Sequence, residues 1–294
     1  MQDRATSLYE LTIFTPSYNR ETNLSTLYQS LLNQSNKNFI WLIVDDGSKD
    51  HTKEVVDRFI QENQLTITYV YQKNAGKHIA RNTALGLCST EYFLGIDSDD
   101  VAYPYAVEEA YAQMDSIRTE EQVCGVVFPR KMGDSQLIVA PPEYCTYFSL
   151  YGKIKYRGET SVLYKTNVLK QYLYPIIQNE NFMAESVVLQ KIDMTYRYRI
   201  VNRFIIHGDY LPNGLSAKLM KHYENCPKGY LLTKRTAASC LKCFVPAAKN
   251  YGAYLAWKRK KELEDAFAGE LPVKSSVKMI GSVLQWYYFM KLFL

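Results

Sequence analysis

Three carboxylates fall within four positions in the stretch "FLGIDSDDVAYP": Asp97, Asp99 and Asp100 follow directly on an apolar run. Like charges this close repel one another, so the cluster reads either as a site for a divalent cation bound through hard oxygens or as a solvated turn. Spacing alone does not choose. Three further polar clusters, "PSYNR" 16–20, "DDGSKD" 45–50 and "QKNAGK" 72–77, also follow short apolar runs. In "DDGSKD" a carboxylate ahead of a Gly-Ser turn can accept N–H donors from a planar ligand, which makes Asp46 the candidate for a base-edge contact. Asp50 and Ser48 suit an Asx-type cap on the helix that follows. Tyr18 offers either an aromatic face for a base, worth roughly 1–3 kcal/mol where it stacks, or packing against a neighbouring loop. Lys77 and Arg81 lie one helical turn apart on a helix opened by "NAGK", so a phosphate there meets two cations and a helix N-terminus; the alternative is a solvated basic face. Neither G-x-x-x-x-G-K-[ST] nor G-x-G-x-x-G occurs, so phosphates would depend mainly on a metal at Asp97, Asp99 and Asp100.

Positioning these residues requires a repeating framework. "LTIFT" 11–15, "FIWLIV" 39–44, "TITYVY" 66–71, "YFLGI" 92–96 and "VCGVVF" 123–128 predict strands. Helical apolar spacing links them: Leu24, Leu27, Tyr28, Leu31 and Leu32; Val55, Val56, Phe59 and Ile60; Ala80, Ala84 and Leu87. This βαβαβαβ alternation predicts a mostly parallel sheet with right-handed crossovers, whose ligands bind beyond the carboxyl ends of the strands. All four polar clusters follow such ends, so the acids form one wall of a site and the solvated-turn reading weakens.

The 294 residues suffice for one large α/β domain and a smaller extension, and composition excludes disordered and solenoid classes. A net charge of +5, with the basic residues densest after position 218, argues against a nucleic-acid surface. Cys88, Cys124, Cys145, Cys226, Cys240 and Cys243 form neither a secreted framework nor a zinc set, which predicts free thiols in a reducing cytosol. The amino-terminal stretch has no signal-peptide pattern and no apolar run reaches a membrane span, so a cytoplasmic location is expected. The tail "VKSSVKMIGSVLQWYYFMKLFL" combines Lys274, Lys278 and Lys291 with Trp286, Tyr287, Tyr288, Phe289 and Phe293. It reads either as an interfacial helix on the inner face of an anionic membrane or as a helix docked on the protein's own core.

Taken in register, "TIFTPSYNR", "LIVDDGSKD", "QKNAGKHIARN" and "FLGIDSDD" resemble the family 2 glycosyltransferases of GT-A fold, inverting enzymes that use nucleotide-diphospho-sugars. The match is strong over 9–115 and looser over 150–220. The resemblance implies a UDP-sugar site at Thr15, Pro16, Tyr18, Asp46, Arg81, Asp97 and Asp99, beside which Arg20, Lys77 and Ser98 are further donor-site candidates. It further implies Mn²⁺ or Mg²⁺ on Asp99, with Asp97 as a further candidate ligand; His207, in an apolar strand, reads either as a third ligand or as a hydrogen-bonded structural residue. An inverting transfer needs one general base for the acceptor hydroxyl. The family carries it in a Glu-Asp pair, and here "NENFMAESVVLQKID" 179–193 supplies Glu185 followed by Ser186, which points to Glu185, with Glu180 close by and a plain helix-dipole role as the alternative. The stretch 203–218 resembles a segment that closes over the donor diphosphate and supplies Tyr210, Ser216 and Lys218; Arg157 and Glu159 are acceptor-side candidates.

The expected architecture is a GT-A domain over 1–220, with a nucleotide-sugar half 1–115 and an acceptor half 116–220, then a helical extension 221–294. The expected reaction moves a sugar from a UDP-sugar to a hydroxyl of a glycan or lipid-linked oligosaccharide in surface polysaccharide synthesis. The rivals are a sugar-1-phosphate nucleotidylyltransferase, which needs a Gly-rich basic loop after the first strand, and a non-catalytic sugar-nucleotide-binding subunit.

Overall fold

The computed structural model describes residues 9–209, 218–240, 244–264 and 272–293. The chain divides into two compact units, Met1–Leu173 with Tyr196–Leu211, and Tyr174–Thr195 with Pro212–Leu294.

In the first unit β1 (Leu11–Ser17), β2 (Phe39–Asp45), β3 (Thr66–Tyr71) and β4 (Tyr92–Gly95) alternate with α1 (Leu24–Leu32), α2 (Thr52–Glu62) and α3 (Lys77–Leu87), as the periodicity predicts. β1 and β2 are buried along almost their whole length, which marks strands covered on both faces, whereas β3 at the sheet edge is half-buried to exposed. Leu24, Leu27, Tyr28 and Leu31 of α1 and Val55, Val56 and Phe59 of α2 are buried as expected, with the Tyr28 ring stacked on Phe59 at 4.0 Å. Ile60 and Leu87 depart from expectation at 41% and 54% exposed. Ile60 lies in the last turn of α2 beyond Phe59; Leu87 closes α3 just before Cys88 turns extended, and Leu85 is buried in its place.

The remaining elements of this unit are β5 (Val101–Ala102), α4 (Ala106–Ile117), β6 (Val123–Pro129), β7 (Lys131–Met132), β8 (Tyr144–Cys145), α5 (Tyr147–Gly152), β9 (Thr160–Lys165), α6 (Thr166–Leu169), β10 (Arg197–Ile200) and β11 (Ile206–Gly208). They complete an eight-stranded sheet of order β3-β2-β1-β4-β9-β6-β10-β8, in which β9 and β8 run antiparallel to their neighbours. Strand order reverses at β1, with β2 on one side and β4 on the other, so a crevice opens at the carboxyl ends of β1 and β4. A separate three-stranded sheet, β5-β11-β7, stands at the exits of β4 and β6. It joins chain segments roughly a hundred residues apart, and local periodicity carries no trace of it.

The second unit is helical: α7 (Ser186–Ile192), α8 (Leu219–Asn225), α9 (Pro227–Cys240), α10 (Phe244–Lys260) and α11 (Ser275–Phe293). Tyr223, Tyr230, Leu231, Tyr254 and Trp257 form its core. α11 lies tightly on α10: a Cβ on Gly281 would fall 2.7 Å from Tyr251 and one on Gly252 3.0 Å from the Gly281 carbonyl, so glycines are needed where the helices touch. Val277 and Gly281 are buried there, while Met279, Val283, Trp286, Tyr287 and Met290 are more than half exposed. One face of α11 thus docks on the protein's own core, as one of the two tail readings expects, and another face is apolar and uncovered. No helix among the described residues is long and apolar enough to cross a membrane.

Candidate active site

Three of the four strand-end loops are tied to one another before any ligand arrives. Asn19, held at φ 53°, donates its N–H to Ser48 Oγ and accepts from Lys49 N–H through Oδ1, both at 2.8 Å. The Glu21 N–H donates to Asp50 Oδ2 at 3.1 Å and Glu21 Oε2 accepts from His51 N–H at 2.9 Å. Gly47, at φ 86°, allows the third loop to approach so closely that a Cβ would sit 2.8 Å from Asn74 N. Asp50, one residue ahead of the His51 N-cap of α2, makes an Asx-type turn bond, accepting from the Thr52 N–H and hydroxyl. Burial alone would raise its carboxyl; the bonds from Thr52 and Glu21 hold it below its ordinary value.

Asp46 is 4% exposed, and its carboxylate organises the third loop. Oδ1 accepts from Gln72 Nε2 at 2.7 Å and Ala75 N–H at 2.8 Å, and Oδ2 accepts from Gly76 N–H at 2.7 Å. A carboxylate has about four lone-pair sites, so roughly one, on Oδ2, is left for a ligand. Thr15 is fully buried and its hydroxyl accepts from Trp41 Nε1 at 2.9 Å, which leaves mainly its backbone to a nucleotide. Pro16 is partly exposed at the same strand end, and Tyr18, 46% exposed, stands on the rim. Ser17, which the sequence reading did not single out, ends β1 with a buried Oγ that has no hydrogen-bond partner among the described residues.

Around the acids the structure supplies the expected cations and one more. Lys77 Nζ lies 2.8 Å from Asp97 Oδ1, and Arg20 Nη2 is 3.9 Å from Asp99 Oδ2. Arg81 is half-buried with its guanidinium 5.3 Å from the Tyr164 ring centroid. Ser98 and Asp100 are buried, whereas Asp97 and Asp99 are partly open. The additional cation is Arg130, at the exit of β6: it pairs closely with Asp100 and reaches Asp97 at 3.6 Å and Glu159 at 3.7 Å. Burial pulls against ionisation of Asp97, yet Lys77 and Arg130 hold its carboxyl below the ordinary range. Asp100, pushed by burial and then by the charge of Asp97, rises to about 7 despite Arg130. Gly208 completes this corner, since a Cβ there would lie 2.3 Å from Asp100 Oδ1 and 3.3 Å from Arg130 Nη2. Arg130 was discoverable by the strand-end rule, because "VCGVVFPR" is an apolar run ending in a charge.

The donor set at Asp97 and Asp99 is two hard carboxylates, which suits a small divalent ion that takes its other oxygens from phosphates and water. Among the described residues no group of three or more His, Cys, Asp and Glu side chains converges as a ready-made metal site. His207 reaches this corner through β11, which pairs it with Val101 and Lys131; its ring centroid lies 5.1 Å from that of Tyr103. Glu159 belongs to the Arg130 network, and Arg157 lines a cavity of about 330 Å³ with Leu137, Ile138 and Tyr156.

In the second unit Glu185 is the exposed N-cap residue of α7, and its side chain makes no cap hydrogen bond. Glu180 is committed elsewhere: its two oxygens accept from Lys228 N–H at 2.8 Å and Gly229 N–H at 2.7 Å, capping α9. Lys218 is exposed ahead of α8, while Tyr210 and Ser216 lie outside the described residues.

Comparison with known proteins agrees with this geometry. Residues 12–173 match the family model described as glycosyl transferase family 2. Glycosyltransferase GlyA of Streptococcus pneumoniae is 36% identical over 105 residues, covering 36% of this chain and 15% of that protein. The UDP-Glc:alpha-D-GlcNAc-diphosphoundecaprenol beta-1,3-glucosyltransferase WfgD of Escherichia coli is 28% identical over 177 residues, 59% of this chain and 67% of its own. The chain spans only 15% and 14% of the first two relatives, GlyA and the teichoic acid poly(glycerol phosphate) polymerase of Staphylococcus epidermidis. Among solved structures, S. aureus TarS 1-349 in complex with UDP-GlcNAc superposes with a TM-score of 0.62 at 18% identity, over 95% of this chain and 80% of that one. The mannosyltransferase PcManGT of Pyrobaculum calidifontis, in complex with GDP-Man and Mn²⁺, does so with a TM-score of 0.52 at 16% identity, over 98% and 87%. The predicted GT-A fold is thus the observed one.

Proposed function

Since the chain belongs to glycosyl transferase family 2, we propose that it transfers a sugar, with inversion, from a UDP-sugar to a hydroxyl of a glycan or lipid-linked saccharide during surface polysaccharide synthesis. The observation carrying this reading is the set of strand-end loops tied together around Asp97–Asp100, at the crevice between β1 and β4. WfgD, named for a UDP-Glc donor and a diphosphoundecaprenol acceptor, and TarS, seen with UDP-GlcNAc, support the choice of donor and acceptor class. "PSYNR" has no glycine, which argues against a nucleotidylyltransferase.

In this reading the half-exposed Tyr18 stacks on uracil, and the remaining Oδ2 lone pair of Asp46 accepts its N–H. Lys77 and Arg81 face the diphosphate from the first turns of α3, with Arg20 on the opposite loop. Asp99, assisted by Asp97, would hold Mn²⁺ or Mg²⁺, with His207 as a further candidate; the ion would supply Lewis-acid neutralisation of the departing diphosphate. Lys77 would leave Asp97 for the phosphates, so the cations that screen the acids in the free protein become the ones that receive the donor. Glu185 takes the acceptor's proton. Arg157 and its cavity are read as acceptor-side surface.

The test is a panel of UDP-sugars with and without Mn²⁺, scored by thermal shift and slow donor hydrolysis. One UDP-sugar is expected to stabilise the protein by several degrees in the presence of Mn²⁺, with the effect abolished by EDTA. Silence across the panel would remove the donor assignment, and EDTA-resistant hydrolysis the metal.

The exposed stripe of α11 is read as a contact with an anionic bilayer, which places the protein peripherally on the cytoplasmic face. Met279, Val283, Trp286, Tyr287 and Met290 lie on one side of the helix, and the basic last turn of α10 brings the Arg259 guanidinium 4.8 Å from the Trp286 ring. Deleting the helix would also uncover α10, so the clean variant is Val283→Ser with Tyr287→Ser. It is expected to lose sedimentation with phosphatidylglycerol vesicles while keeping its helical content. Undiminished sedimentation would refute the membrane reading, and a change from dimer to monomer would show that a second copy covers the stripe.

A further inference from the structure

The helical unit contains a second feature that the donor chemistry does not use. α9, α10 and α11 surround a cavity of about 390 Å³, reached by Tyr230 and Lys234 from α9, Lys249 and Asn250 from α10 and Tyr288 from α11. Lys234 is half-buried, one turn beyond Tyr230, with its Nζ 5.2 Å from the Tyr230 ring centroid. Burial depresses its ammonium, and no carboxylate offsets this. Among the described residues neither Lys234 nor Lys249 has an acidic partner, and neither the Tyr230 nor the Tyr288 hydroxyl has a hydrogen-bond partner. Burial raises both phenols, Tyr230 to about 12, so each stays a protonated donor.

Four donors on three helices thus surround one space that, among the described residues, offers them no carboxylate, the amide oxygen of Asn250 being a neutral acceptor. Buried polar groups are normally satisfied, and a desolvated amine without a counter-charge is costly; an anion entering the cavity relieves both. A carboxylate presents two oxygens in one plane. A tetrahedral phosphate presents three or more in different directions, as donors arriving from three helices require. The wider field agrees, since 15 Lys and Arg stand against 8 Asp and Glu in this unit, the reverse of the slight acidic excess in the rest of the chain. Met220 and Ala253 on the wall leave apolar contact for whatever the phosphate is attached to.

We propose that this cavity is a phosphate-binding site, separate from the nucleotide-sugar site and independent of the donor assignment. Its ligand is a phosphate group, either free in solution or on a lipid. The full chain is titrated calorimetrically with inorganic phosphate and pyrophosphate, and floated with phosphatidylcholine vesicles with or without phosphatidic acid. Lys234→Gln and Lys249→Gln are each expected to weaken phosphate binding at least about 10-fold, the loss of one charge-assisted hydrogen bond, and Lys234→Arg to retain it. Donor hydrolysis should be unchanged in all three. Lys249 is exposed, so its variant keeps the test open if Lys234→Gln fails to fold. Lysine-dependent binding of the soluble anions alone identifies a free phosphate ligand, and lysine-dependent flotation confined to phosphatidic acid identifies a lipid headgroup. Binding in neither arm, or binding that both Gln variants leave intact, overturns the proposal.

Discussion

Glu185→Gln is expected to lose sugar transfer by roughly 10²- to 10⁴-fold while leaving UDP-sugar affinity unchanged, the signature of a removed general base. Gln keeps the size and polarity of the side chain but cannot take a proton from the acceptor hydroxyl. Glu185 is exposed at the N-cap of α7 and its side chain holds no cap hydrogen bond, so the start of the helix does not depend on its carboxylate. Losing its charge from the helix N-terminus should cost only about 0.3–1 kcal/mol. Single-turnover transfer measured beside donor calorimetry separates the two roles. Intact transfer with a small drop in Tm would reduce Glu185 to a helix-dipole residue. Glu180→Ala is the informative control: it uncaps α9, so it should cost about 1 kcal/mol of stability with the proton-transfer step intact.

Arg130→Met is the second large effect, and it falls on stability and donor binding together. The guanidinium is 14% exposed and joins the buried Asp100 to the partly open Asp97 and Glu159, so its removal leaves the Asp100 carboxyl buried beside Asp97 without its counter-charge. Breaking a buried ion pair from one side costs roughly 3–5 kcal/mol. Over a domain of this size that lowers Tm by roughly 2–4 °C per kcal/mol. Lys at this position restores the charge without the fork that spans three carboxylates, so Arg130→Lys should recover only part of the loss. Gly208→Ala approaches the same corner from β11, because its Cβ would strike the Asp100 carboxylate. An Arg130→Met protein with unchanged Tm and unchanged UDP-sugar affinity would show that the pair contributes nothing to either.

Donor-side candidates lay close to the surface of the sequence because each sits within a few residues of a strand end, where local pattern speaks directly. The apolar runs at 11–15, 39–44, 66–71 and 92–96 became β1 to β4, and the polar residues after them came together at one edge. What those residues do there was less legible. Asp46 spends most of its hydrogen-bonding capacity on the loop at Gln72, Ala75 and Gly76, and the Thr15 hydroxyl is turned to Trp41; residue type and spacing are the same whether a carboxylate or hydroxyl serves a ligand or the chain. Glu180 and Glu185 are equivalent by composition, and only the fold commits Glu180 to α9.

By itself the sequence determined the alternation of strand and helix, the parallel half of the sheet and the identity of the acids at its rim. Those follow from hydrophobic period and turn chemistry, which act over a few residues. The tertiary structure alone decided how the acids are neutralised, through Arg130 from β6 and Gly208 from β11. It also decided which face of the tail helix is covered, through Gly252 against Gly281, and gathered Tyr230, Lys234, Lys249 and Tyr288 around one cavity. Electrostatic pairing and close packing depend on distance in space, and residues a hundred positions apart leave no periodic trace of it along the chain.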